Sequence, residues 1–273
     1  MARGAAPTLP AVKRATTADG TGIAYEVDGS GPLLLFVHGI TEDHTLWGPI
    51  VERLRGEFTC ARLDLRGHGR SEPATDYDAF ATAGDLAATI EAIAAPDPPA
   101  IIGHSLGGFL ATVYAVTGAG PLRAVVNVDQ SLRLSDLAQL VRPLESDLRG
   151  PAFADVFGAI LDSLGAERLD PETRERLHDL HRRARQEFVL GSWAPLFDST
   201  DEEIDALVES MLPDLDPPYL ALHGADPGPG YAGWLTSLVP TATVEVWEGQ
   251  GHWLHLVDPD RFVARVREFL AAN

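Results

Sequence analysis

Gly103-His104-Ser105-Leu106-Gly107-Gly108 stands between two apolar runs. Ala100-Ile101-Ile102 before it is too short for a helix and is expected to form a buried strand. Phe109–Val116 after it is long enough for a helix. The G-x-S-x-G pattern therefore falls where a strand turns sharply into a helix, the setting in which such a serine is held up on a tight turn. A serine there sits in strained backbone, and neighbouring chain must pass close to it. Gly103 and Gly107 flank Ser105 without a Cβ to clash, and Gly108 lets the helix pack closely beneath. The start of that helix points free N–H groups and its positive dipole end at the serine.

Outward from this turn, strands and helices alternate. Val12–Thr16 and Ile23–Val27 flank Asp19-Gly20, a hairpin signal. Leu33–Val37 is fully apolar, as a central strand is, and ends at His38-Gly39-Ile40. Leu46–Leu54 reads as a helix, Phe58–Leu63 as a strand, Asp64–Ser71 as a glycine-rich loop and Ala79–Ala94 as a helix. After the serine turn come strand Ala124–Val128 and, much later, strand Tyr219–Leu222, helix Tyr231–Val239, strand Thr243–Trp247 and helix Pro259–Leu270. Such alternation predicts an α/β fold with a mostly parallel central sheet flanked by helices.

Between the two halves the alternation stops. Residues 131–216 hold helical patterns only, and carry nineteen acidic against nine basic side chains. An all-helical, acidic insertion between two strands of a parallel sheet reads as a cap, or lid, on a core formed by residues 1–130 and 217–273.

The chain of 273 residues can bury a sizeable core, and its 45% hydrophobic content is ordinary for a globular protein. Its formal charge of −19 argues against nucleic acid and against anionic membrane surfaces as partners. Cys60 is the one cysteine, so no internal disulfide can form, and its apolar surroundings suggest a core residue. Met1–Val12 lacks a continuous apolar run, so no signal peptide is expected, and no window reaches the length of a membrane span. The expectation is a cytoplasmic protein acting on a small-molecule substrate.

His38-Gly39, the DLRGHGRS loop at residues 64–71, GHSLGG and a late Gly251-His252 occur in an order and spacing that resemble the α/β-hydrolase fold superfamily over nearly the whole chain. The resemblance implies a serine-nucleophile enzyme with an all-helical cap. Haloalkane dehalogenases and epoxide hydrolases of that fold use an aspartate where this chain has Ser105, so their chemistry is excluded. A serine hydroxyl needs a base within hydrogen-bond reach, and histidine suits because its pKa lies near neutrality. His252, in a loop after a strand, is the candidate base. That base needs a carboxylate, and two stand after strands: Asp226, favoured because it gives the order Ser…Asp…His, and Asp129 as the alternative. In the family's usual pattern the acid stands three residues after a glycine; Asp226 stands two after Gly224. Leu106, after the serine, is expected to give one N–H to an oxyanion hole. The resemblance assigns the other to Ile40.

Further candidates for the substrate pocket are His38, Gly39 and His104, with Phe188, Trp193 and Phe197 from the insertion. His38 and His223 are equally suited to bonding within their own loops, and Asp64, Arg66 and His68 look like loop architects. No cofactor and no metal is expected, since His252 and His255 have no third ligand beside them. The expected reaction is hydrolysis of a carboxylic ester or lactone through an acyl-enzyme, with a small, neutral, moderately apolar substrate. C–C bond hydrolysis or thioester hydrolysis by the same residues is the second reading, and a non-catalytic small-molecule binder the third.

Overall fold

The computed structural model describes residues 11–273; the expectation of no signal peptide falls largely on residues 1–10, outside it. Eight strands form one sheet: β1 (Lys13–Thr16), β2 (Gly22–Gly29), β3 (Leu33–Val37), β4 (Thr59–Leu63), β5 (Ala100–His104), β6 (Ala124–Val128), β7 (Tyr219–His223) and β8 (Ala242–Val246). Their spatial order is β1-β2-β4-β3-β5-β6-β7-β8. The β1–β2 and β2–β4 pairings are antiparallel, so β2 alone runs against the others, and the remaining pairings are parallel. The Asp19-Gly20 hairpin forms as the sequence indicates, with Gly20 at φ 88°.

Helices α1 (Gly48–Leu54), α2 (Ala79–Ile93) and α3 (Leu106–Val116) belong to the first half of the chain; α10 (Tyr231–Leu238), α11 (Leu254–Val257) and α12 (Pro259–Ala272) belong to the second. β3, β5, β6 and β7 are buried at every position, because helices cover both faces of the sheet. One face packs Leu35, Ile101 and Val125 with Leu110 and Tyr114 of α3. The other packs Phe36, Ile102 and Val126 with Ile50 of α1 and Phe262 and Val266 of α12, and includes the fully buried Cys60.

Between β6 and β7 the chain forms α4 (Leu134–Val141), α5 (Glu145–Arg149), α6 (Phe153–Asp162), α7 (Pro171–His181), α8 (Gln186–Asp198) and α9 (Asp201–Met211), with no strand. This insertion has its own apolar core, in which Phe157, Val189, Trp193 and Ile204 meet. It also reaches the main body: the Leu164 carbonyl accepts from His252 N–H at 3.1 Å, and Arg168 donates to the Gly249 carbonyl at 2.6 Å. No helix among the described residues is long and apolar enough to cross a membrane.

Register fixes where the chemistry can gather. Val37 of β3 pairs with Gly103 of β5, and His104 of β5 with Val128 of β6. The chain therefore leaves β3, β5 and β6 at one level, at the carboxyl end of the sheet. In open α/β sheets ligands collect at that end.

Candidate active site

Ser105 sits between β5 and α3 with φ 51° and ψ −125°, a strained conformation for a residue with a Cβ. The strain is held by close packing. A Cβ on Gly103 would lie 2.1 Å from the Gly107 carbonyl oxygen, one on Gly107 2.3 Å from that of Val37, and one on Gly108 2.4 Å from Asn127 Oδ1. The turn closes only with glycine at all three places. Ser105 N–H is fastened to the Val128 carbonyl at 2.8 Å. As the first residue of α3, Leu106 has no upstream helical acceptor for its N–H. It faces the same cavity as Ile40, in the loop after β3.

His252 Nδ1 lies 2.7 Å from Asp129 Oδ2, and the other carboxylate oxygen of Asp129 accepts from Gly224 N–H at 2.7 Å. Asp129 is the first residue after β6, and its φ of 57° turns its side chain across the end of the sheet. Burial opposes its charge, but the hydrogen bond and charge of His252 and the Gly224 amide hold its carboxyl below the usual range. Of the two candidate acids, the structure brings Asp129, the alternative, to His252, and not Asp226, which chain order favours. Asp226 is exposed, and its Oδ1 accepts from Gly228 N–H at 3.0 Å in a turn that closes on itself. With one residue fewer after Gly224 than the family's pattern, that loop does not carry its acid back over the sheet.

Beneath these residues lies a buried acid that the motifs give no reason to single out. Glu42 Oε2 accepts from Gly39 N–H at 2.8 Å and lies 3.1 Å from His104 Nδ1, while Oε1 accepts from Trp253 Nε1 at 2.7 Å. His104 Nε2 lies 3.0 Å from the His252 carbonyl. Burial works against both charges. The Glu42 charge and hydrogen bond, with Asp129 and the His252 carbonyl, nevertheless raise the pKa of His104. In turn His104, Trp253 and the Gly39 amide hold the Glu42 carboxyl well below its ordinary value. In sequence Glu42 is one of two adjacent acids in a loop; its neighbour Asp43 merely caps a short helical turn, accepting from Thr45 N–H at 2.9 Å.

A cavity of about 550 Å³ opens between the sheet and the insertion. Ser105, Leu106, Ile40, Asp129 and His252 share its wall, which continues through Leu132, Leu137, Ile160, Trp193, Ile204 and Val208. Among the described residues, no arginine or lysine lines it.

The sequence profile of the Alpha/beta hydrolase family matches residues 34–265, which takes in the serine turn, the insertion and the His252 loop. The chain belongs to the alpha/beta hydrolase family. It is 30% identical over 262 residues to a pimeloyl-[acyl-carrier protein] methyl ester esterase of Stenotrophomonas maltophilia, covering 90% of this chain and 96% of that protein. A shorter stretch of 102 residues is 40% identical to 2-(acetamidomethylene)succinate hydrolase of Mesorhizobium japonicum, and covers 37% of this chain and only 36% of that protein. Among solved structures, an esterase from Thermogutta terrifontis superposes with a TM-score of 0.77 at 24% identity, over 96% of this chain and 98% of that one.

Within this alpha/beta hydrolase, several pocket candidates prove to be framework. His38 is buried; its Nε2 accepts from Leu65 N–H at 3.0 Å, so its Nδ1 carries the proton and donates to the Gly39 carbonyl at 2.8 Å. Neither His38, Gly39 nor His104 contributes to the cavity wall. Of the three aromatics from the insertion only Trp193 does. Phe188 is fully buried against His68 and Tyr77, with ring centroids 4.3 and 5.2 Å away. Phe197 packs on the insertion's own core and under Arg149. The loop architects act as expected. Asp64 binds the backbone of His44 and Arg70, Arg66 pairs with the buried Asp85, and His68 Nε2 accepts from Thr41 N–H at 3.1 Å.

Proposed function

We propose that this chain is a serine hydrolase that cleaves carboxylic esters or lactones of small, neutral, moderately apolar substrates through an acyl-enzyme. The observation that carries the reading is the shared cavity wall of Ser105, His252 and Asp129, with His252 already bonded to Asp129 at 2.7 Å.

In this reading His252 Nδ1 keeps its proton on Asp129, which leaves Nε2 as the base for the Ser105 hydroxyl. The alkoxide adds to the substrate carbonyl, and the N–H groups of Leu106 and Ile40 receive the charge that develops on its oxygen. Asp129 stabilises the imidazolium formed at that moment. His252 then gives the proton to the leaving alcohol, and water repeats the sequence to free the acid and regenerate Ser105. The insertion acts as a cap: it closes the cavity over the ester and keeps bulk water from the polar step.

The cavity's chemistry supports the substrate class. Its wall is largely apolar and, among the described residues, holds no arginine or lysine that would neutralise a carboxylate on the substrate. The acids Asp78 and Glu203 also line it. At its mouth Phe80, Leu140 and Leu207 are each more than half exposed, extending the apolar surface outward.

The test is a panel of acyl esters, lactones, thioesters and dicarboxylate monoesters assayed with wild type and Ser105→Ala, alongside fluorophosphonate labelling. Labelling at Ser105 with turnover of neutral esters is expected. Wild-type protein that neither labels nor turns over any member would overturn the reading, and a preference for charged monoesters would overturn the substrate class.

A further inference from the structure

Glu42 and His104 meet three loops at once. Glu42 belongs to the loop after β3 and binds the Gly39 amide, one residue before Ile40. His104 is the last residue of β5, directly before Ser105. Both then reach into the His252 loop, Glu42 through the Trp253 indole and His104 through the His252 carbonyl. Glu42 and His104 are each almost completely buried.

The bonding pattern fixes how many protons the pair holds. A carbonyl oxygen only accepts, so the His104 Nε2 facing His252 must carry a proton. Nδ1 faces Glu42 Oε2, so a second proton lies between ring and carboxylate. Glu42 already accepts from an amide and an indole, and three donors converging on two oxygens stabilise the ionised carboxylate. The second proton therefore belongs to the ring. Such a pair is worth little to stability compared with an apolar replacement, but it fixes geometry, because moving any one group leaves a buried charge short of a partner.

We propose that the buried Glu42–His104 ion pair is a positioning device that locks the serine turn, the Ile40 loop and the His252 loop in mutual register. This rests on the serine-hydrolase reading for its catalytic consequence, although the ion pair itself does not. His104 does not reach the cavity; Glu42 borders it, but both its oxygens are held by Gly39 and Trp253, and neither side chain is among the groups that carry out the reaction. They act through the backbone on the oxyanion-binding loop and on the base, where a misplacement of about 1 Å can cost on the order of 100-fold in rate.

The discriminating variant is Glu42→Gln, which keeps the size of the side chain and removes its charge. An amide cannot accept from Gly39, Trp253 and His104 together, since one of its two ends is a donor. Expected is a fall in kcat of tenfold or more per titratable active site, with KM within about twofold. His104→Gln should behave alike, and the double variant should lose hardly more than either single one, since the pair acts as a unit. A lowered Tm with kcat within twofold of wild type, or losses that multiply in the double variant, would overturn the proposal in favour of a merely structural role.

Should the variants not fold, the wild-type protein still decides. Nitrogen-15 spectra at pH 7 should show both ring nitrogens of His104 protonated, as in an imidazolium. A neutral ring in either tautomer would overturn the ion pair. Failure of wild type to label or turn over any ester would instead strike the hydrolase reading, and the His104 resonances would still report the pair on their own.

Discussion

Asp129 meets His252 from the neighbouring part of the sheet, Oδ2 to Nδ1 at 2.7 Å, because its own backbone is left-handed. Aspartate is among the few side chains that tolerate a positive φ, so the residue able to make the turn is also the one able to hold the imidazole. Its second oxygen is occupied by Gly224 N–H, which stops the carboxylate from rotating away.

Asp129→Asn is therefore expected to preserve the fold and to lower kcat by about 10⁴, because the amide would force His252 into the other tautomer. Asp226→Asn should leave kcat unchanged, its carboxylate being exposed and bonded within its own turn. Parallel kinetics of the two variants check this; the opposite ranking would restore Asp226 as the acid.

Ser105→Ala should remove activity by several orders of magnitude, roughly 10³-fold or more, and His252→Ala about as much, because such residues act as a unit. The Tm of Ser105→Ala should change little, since alanine keeps the Cβ and with it the strained φ of 51°, and loses only a hydroxyl. Single-turnover assays with an activated ester provide the measurement. A variant that kept a tenth of wild-type turnover would exclude Ser105 as nucleophile.

What could be read from the sequence was whatever depends on local rules. The strand–turn–helix around Ser105 follows from run lengths and glycine spacing, and the structure shows a backbone oxygen where a Cβ on Gly103 or Gly107 would be and the Asn127 side-chain oxygen where one on Gly108 would be. The helical insertion was legible because alternation stops. Which aspartate meets His252 was not, since Asp129 and Asp226 both follow strands and only the path of the loops decides between them. Glu42 was hidden for the same reason: its partners Gly39, His104 and Trp253 are spread over more than two hundred residues. Aromatic content marked candidates for the pocket but not the face each side chain takes, and so Phe188 and Phe197 were placed beside Trp193 without distinction.

That distinction is measurable. Phe188→Ala removes a fully buried ring and should destabilise the protein by about 3–5 kcal/mol while leaving the ranking of esters unchanged. Trp193→Ala enlarges the cavity wall and should shift kcat/KM toward bulkier acyl or alcohol groups. Thermal unfolding and an ester panel separate the two. An unchanged panel for Trp193→Ala would show that its ring serves only the insertion's core, where it meets Phe157 at 5.6 Å.

Acid should destabilise the fold in a defined window. Burial lowers the pKa of His68 to about 3, of His181 to about 4, and of His255 well below its ordinary value. Each is neutral when folded and titrates near 6.5 when unfolded, so below 6.5 the unfolded chain binds protons that the folded chain refuses, and stability falls. His104 has the opposite sign. Its raised pKa gives stability that is complete below 6.5 and is lost as pH rises through the folded value. Burial lowers His223 as well, and raises Asp85 to about 6, which gives it the sign of His104; the four neutral rings outnumber these two, so Tm should drop between pH 6.5 and 4. His68→Gln should flatten the slope by up to about 1.4 kcal/mol per pH unit. A Tm that rose on acidification over that range would contradict these assignments.

The register of the His252 loop against β7 can be tested at a single atom. A Cβ on Gly224 would lie 1.9 Å from the Gly251 carbonyl oxygen and 2.7 Å from its carbon, both backbone atoms that cannot swing aside. Gly224 also donates to Asp129, and its carbonyl receives Gln250 N–H and Gly251 N–H, so pushing the two loops apart strains every bond that orients His252. Gly224→Ala should cost about 1–3 kcal/mol through overpacking and lower kcat with it. Gly233 supplies the control. It lies inside α10, exposed, with nothing within 4 Å of an added Cβ. There alanine should stabilise by about 0.5–1 kcal/mol and leave kcat alone. Equal effects at the two glycines, in Tm and in kcat, would mean that the Gly224–Gly251 approach does not hold His252 in place.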